Sequence, residues 1–119
     1  MKYSGWDYLD HMVSTCEEIL EYAGTFSDEQ EFHQNRLMCR AITMCLLDLG
    51  ELFTGLSEVE MSIKETDSWQ RIKGFRSRAA HGYHNLDFKV VYKLIDRVRE
   101  LYPALKQQQC TNGPIELDS

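Results

Sequence analysis

One stretch of the 119-residue chain concentrates residue types that could do chemistry: Trp69-Gln70-Arg71-Ile72-Lys73-Gly74-Phe75-Arg76-Ser77-Arg78-Ala79-Ala80-His81-Gly82-Tyr83. Arg76, His81 and Tyr83 stand out by their types and spacing. Imidazole titrates near neutrality, so a histidine can both take and give a proton. Arginine grips phosphate with a planar fork, and its charge can stabilise a crowded phosphorane transition state. RNA is cut without a metal when a base takes the 2′-OH proton and an acid protonates the leaving 5′-oxygen. Five residues of ideal helix turn by about 500°, so Arg76 and His81 point roughly 140° apart. One copy aligns them poorly unless the helix unwinds at Gly82, whereas a two-fold dimer brings two of each around one cleft. The plainer alternatives stay open here: His81 bonding the last carbonyls of a helix, and Tyr83 packing on the next one.

The elements that must position these residues are helices. Leu9, Val13, Cys16, Leu20 and Ala23 share one face of a first helix that ends at Gly24 and the Thr25–Asp28 region. Ser27 or Asp28 can cap the next helix, expected over Glu29–Phe53 with Met38, Ile42, Cys45, Leu49, Leu52 and Leu56 in its stripe. Leu37, Ala41, Met44, Leu46 and Phe53 lie off that stripe, as a central helix or a dimer contact would require. Val59 and Met61 can anchor a short turn of helix. Trp69, Ile72, Phe75, Ala79 and Tyr83 mark a third helix, capped by Asp67 or Ser68 and closed near Gly82. Phe88, Val91, Ile95, Val98, Tyr102 and Leu105 mark a fourth, capped by Asp87 and kinked or frayed at Pro103. No alternating strand pattern competes. The expectation is an all-α bundle over residues 1–106 with a flexible tail over 107–119.

Charge is unevenly distributed. The formal net charge is −6. Residues 1–68 carry −10, whereas 69–99 carry +6 from eight Lys/Arg and only Asp87 and Asp96. The acidic total excludes a protein that coats nucleic acid over its whole surface. The basic hairpin is either a pair of solvated helix faces or the electrostatic footprint of a polyanion site.

Composition narrows the remaining classes. With 43% hydrophobic residues and 2 prolines the chain is globular rather than disordered. Its apolar runs fall far short of the ~20 residues a membrane span needs. Met1–Asp7 lacks the features of a secretion signal, so a cytoplasmic protein with reduced Cys16, Cys39, Cys45 and Cys110 is expected. No C-x-x-C pair occurs, and a metal trio of His81, His84 and Asp87 is the weaker reading, so no metal or cofactor is assigned. His11 and His33 are expected at the surface.

The Arg76-x4-His81-x-Tyr83 pattern resembles the HEPN superfamily and, within it, the HepT-like ribonuclease toxins. The flanks resemble it too. Asp48-Leu49-Gly50-Glu51 matches the family's "I-G-E"-like step, Trp69 opens the motif helix, and a long amphipathic helix follows. The resemblance covers roughly residues 6–105. It implies a HEPN-type antiparallel four-helix bundle, a two-fold homodimer and a shared endoribonuclease site. Arg76 would anchor the transition state, with one His81 as base and the other as acid. Ser77, Arg78, Lys73, Arg71 and His84 would support RNA binding. The resemblance also implies a partner, a minimal nucleotidyltransferase antitoxin that uses ATP to place AMP on Tyr83 and silence the RNase. Ser77 departs from the family's usual Asn and lacks an amide's paired donor and acceptor. That departure favours a second reading, a non-catalytic nucleotide- or substrate-binding subunit of a nucleotidyltransferase complex.

Overall fold

The computed structural model describes residues 5–55, 59, 61–79 and 86–118, with side chains described between 8 and 111. The expected termination near Gly82 lies outside these residues. Among them are six helices and no strand: α1 (Gly5–Ala23), α2 (Glu29–Gln34), α3 (Arg36–Gly55), α4 (Met61–Lys64), α5 (Asp67–Ala79) and α6 (Phe88–Asp118). Four long helices form a closed ring in which α1 touches α3 and α6, while α5 touches the same two from the other side. Contacts fix their directions. Asp10 meets Gln109 while Glu17 meets Tyr102, so α1 and α6 run antiparallel. Phe53 stacks on Trp69 while Gly50 abuts Arg76, so α3 and α5 do too.

The heptad-like stripes become the core. Leu9, Val13, Cys16 and Ala23 are buried on α1, and Val91, Ile95, Val98 and Leu105 on α6. On α3 the buried line is Cys39, Ile42, Cys45, Leu46, Leu49 and Phe53, whereas Met38 and Leu52 of the expected stripe are only half-buried. The stripe is rotated because α3 is shared by α1 and α5, which together cover a wider arc than one partner would.

Three boundaries differ from expectation. The single helix expected over Glu29–Phe53 is broken at Asn35. Its N–H closes α2 on the carbonyls of Glu31 and Phe32, and its Oδ1 accepts from Met38 N at 3.1 Å to open α3. One residue thus serves two helix ends, its backbone N–H closing α2 and its short side chain opening α3, in competition with the continuous ladder. Asp28 caps α2, accepting from Glu31 N at 2.9 Å. For α5 it is Thr66 Oγ1 that accepts from Trp69 N, at 3.2 Å, so the cap stands one residue earlier than Asp67.

The third difference is the C-terminus. α6 does not give way to a tail at Gln107: it runs from Phe88 to Asp118, 31 residues in all. Pro103 removes one N–H from the ladder, but packing carries the helix across it. Leu101 and Leu105 are buried on either side, Gln108 is buried, and Gln109 donates to Asp10 at 2.6 Å. Asp87 caps α6 as expected, accepting from Lys89 N at 2.9 Å.

Ile72 is wholly buried between the long helices, whereas Met61 on α4 is 65% exposed. Ile72→Ala is expected to lose about 2–5 kcal/mol in chemical denaturation, and Met61→Ala to stay within about 0.5 kcal/mol. Similar losses at both positions would place the core elsewhere.

Candidate active site

Arg76 is set by a backbone approach. Gly50 lies in the buried face of α3, where a Cβ would fall 2.5 Å from Arg76 Cβ and 3.1 Å from its Cγ. Any larger residue would push α5 away. The close approach is reinforced, one turn along α3 and two along α5, by the Trp69–Phe53 stack, with ring centroids 3.6 Å apart and planes within 4°. The arginine's aliphatic stem therefore lies across the α3 backbone, and its head emerges beside Glu51. Arg76 Nη2 donates to Glu51 Oε2 at 2.6 Å and Nε donates to the same oxygen at 3.2 Å. The arginine side chain is 36% exposed and the glutamate 65%, so the pair stands at the surface.

The other expected site residues separate into two groups. Lys73, half-buried, precedes Arg76 by three residues and so shares its side of α5. Ser77 is exposed, and its hydroxyl donates to Lys73 O at 3.2 Å, a bond back to its own helix. Arg78 is exposed, and its Nη1 reaches back beside Gly74. Arg71 points elsewhere: five residues from Arg76, it lies about 140° around the helix. It donates to Asp67 Oδ2 at 2.6 Å, and Arg97 of α6 reaches the same oxygen at 3.6 Å and Glu100 at 3.5 Å. Ser68 closes this network on Glu100 at 2.8 Å. His81, Tyr83 and His84 lie outside the described residues.

The basic hairpin is thus partly balanced, mostly by carboxylates outside residues 69–99. Arg71, Arg76, Arg97 and Arg99 are ion-paired, whereas Lys73, Arg78, Lys89 and Lys93 form no ion pair among the described residues. The Arg71 guanidinium, with Arg97 behind it, holds Asp67 below the usual carboxylate range. On the α3 side, burial and the nearby Glu18 and Glu51 push Asp48 upward. Burial pushes the Cys16 and Cys45 thiols up to about 12, and Cys45 donates to Glu18 at 3.1 Å. Both are protonated packing groups rather than nucleophiles. All four cysteines are free. His11 is exposed, and His33 is half-buried against Glu29 at 3.1 Å. No helix among the described residues is long and apolar enough to cross a membrane.

Glu51 has no role in the sequence-based site, although Gly50-Glu51 is visible as a step in the motif flank. The signal was the glycine: within a helix a glycine costs up to about 1 kcal/mol against alanine, so its presence asks for a close contact.

The all-α ring of four long helices is the architecture expected of a HEPN-type bundle. The family model for HepT-like ribonucleases matches residues 12–108, a span that includes Arg76, His81 and Tyr83. The chain belongs to the HepT-like ribonuclease family. Comparison with curated proteins and with solved structures gives no match.

Two outcomes test this geometry. Gly50→Ala should destabilise by about 1–3 kcal/mol through overpacking, despite alanine's better helix propensity. Stability equal to wild type in chemical denaturation would mean that the helices do not meet there. Asp67 is lowered in the folded state, so its contribution is present above the unfolded-state pKa of about 3.9 and is lost as pH falls through the folded value. Asp67→Asn should therefore lower the Tm at pH 7, with the difference from wild type shrinking below about pH 4.

Proposed function

We propose that the chain is the toxin of a toxin–antitoxin pair, a metal-independent endoribonuclease that works as a homodimer in the cytoplasm. The observation that carries the reading is the placement of Arg76: seated against Gly50, held at the surface by Glu51, and matched in family and spacing to His81. In the proposed reaction one His81 takes the 2′-OH proton and the 2′-oxygen attacks phosphorus. The P–O5′ bond breaks, and the other His81 protonates the departing 5′-oxygen, leaving a 2′,3′-cyclic phosphate and a 5′-hydroxyl. Arg76 offsets the added negative charge of the phosphorane. Lys73 and Arg78, with no ion pair among the described residues, supply further phosphate contacts, and His84 would add to them. Arg71 contributes to the positive field while tied to Asp67.

The dimer is supported by the outer face of α3. Leu37 is 71% exposed and Met44 51%, and seven residues of helix place them on one side. A second copy would cover this apolar strip and complete the site. For regulation, a minimal nucleotidyltransferase partner would use ATP to join AMP to the Tyr83 oxygen, with pyrophosphate leaving. The adduct adds bulk and negative charge next to Arg76 and His81, which repels RNA.

The second reading, a non-catalytic nucleotide- or substrate-binding subunit of the transferase complex, is favoured by Ser77. Its single hydroxyl is taken by the Lys73 carbonyl, so it offers the site less than an amide would.

Purified protein should cleave RNA in EDTA, whereas Arg76→Ala and His81→Ala should each lose about 100-fold or more. Equal cleavage by all three sinks the ribonuclease, and no cleavage by wild type together with tight transferase binding favours the subunit. Co-expression with the transferase should add AMP-sized mass that disappears in Tyr83→Phe. Additions that persist in that variant move the acceptor elsewhere.

A further inference from the structure

Glu51 spends one carboxylate on the arginine that the site depends on. An exposed ion pair of this kind contributes little to stability, about 0–1 kcal/mol. It also cancels positive charge where a phosphate is to be bound, so neither folding nor simple attraction of RNA accounts for it. Its geometry does. A guanidinium has two forks, one formed by Nε and Nη2 and the other by Nη1 and Nη2. Both bonds to Glu51 come from the first fork, and both end on Oε2. Among the described residues the Nη1 edge has no partner. The stem cannot retreat, because Arg76 Cβ and Cγ are pinned against Gly50.

We propose that Glu51 is a positioning residue that occupies the Nε–Nη2 fork of Arg76 and thereby presents the Nη1–Nη2 fork to a phosphodiester. The assignment rests on the ribonuclease reading above and adds a residue to it. The carboxylate does two things. It fixes the rotation of the guanidinium, so a fork is already oriented when charge develops on phosphorus. It also repels a phosphate from every approach except the far edge of the arginine, which makes the binding directional. Asp48, one turn earlier on α3 and likewise exposed, extends the same negative flank.

The experiment compares wild type, Glu51→Gln and Glu51→Asp in RNA cleavage under EDTA, and follows the Arg76 Nε–H signal by NMR with and without 2′-O-methyl RNA, which cannot be cleaved. Thermal unfolding should show both variants folded, since Glu51 is exposed. Glu51→Gln should lose roughly tenfold in kcat with KM nearly unchanged, and Glu51→Asp, which keeps the charge, should recover part of it. The wild-type Nε–H should exchange slowly and Glu51→Gln should lose that protection. Unchanged kcat in Glu51→Gln overturns the assignment while leaving the ribonuclease standing. If wild type does not cleave at all, the ribonuclease reading falls by itself. The positioning role is then upheld by an Nε–H that loses protection in Glu51→Gln and shifts with RNA in wild type, and overturned by one that does neither.

Discussion

The approach of α5 to α3 at Gly50 governs the arrangement of this molecule. Two helices can pass so near only where one offers no side chain, and here the residue facing that gap is Arg76. Closing the gap has several consequences at once. It brings Phe53 and Trp69 into a parallel stack, goes with the burial of Ile72 and Phe75, and sets the arginine head beside Glu51. A core contact thereby determines the orientation of a surface group. Functional arginines on flexible stems usually lose entropy when they bind. In this fold much of that loss has already occurred on folding.

Charge follows the same division. α5 carries its cations on two sides. The side toward α6 is a closed network of Asp67, Arg71, Arg97, Glu100 and Ser68, which fastens α5 to α6. The side toward α3 holds Arg76, which among the described residues is ion-paired with Glu51, and Lys73 lies one turn before it. The net positive charge of the hairpin is thus an average over cations tied into the α5–α6 network and cations outside it. In the same way, the acidic remainder is partly structural, since Glu17 accepts from Tyr102 at 2.6 Å and Glu18 from Cys45.

Much of the fold was legible in the chain because amphipathic spacing is a local property. The stripes on α1 and α6 are buried except for the half-buried Leu20, Phe88 and Tyr102, and Asp28 and Asp87 act as the caps their types suggested. The failures share a cause. Asn35 breaks a helix that the apolar pattern would continue, because its backbone N–H closes one helix while its side-chain oxygen caps the next. Gln107–Cys110 reads as a polar tail but stays helical, because Gln109 finds Asp10 on α1. In both places a specific hydrogen bond outweighed the trend in composition.

The sequence by itself determined the all-α class and the constellation of Arg76, His81 and Tyr83, since both depend on spacing within a few turns. Tertiary structure decided which carboxylate each arginine meets. Arg71 and Arg76 are equal as letters, yet one is held by Asp67 within its own helix and the other by Glu51, twenty-five positions away on α3. No local pattern encodes that second pairing. It exists because Gly50 lets two backbones approach, and only packing of the whole ring brings them to that distance.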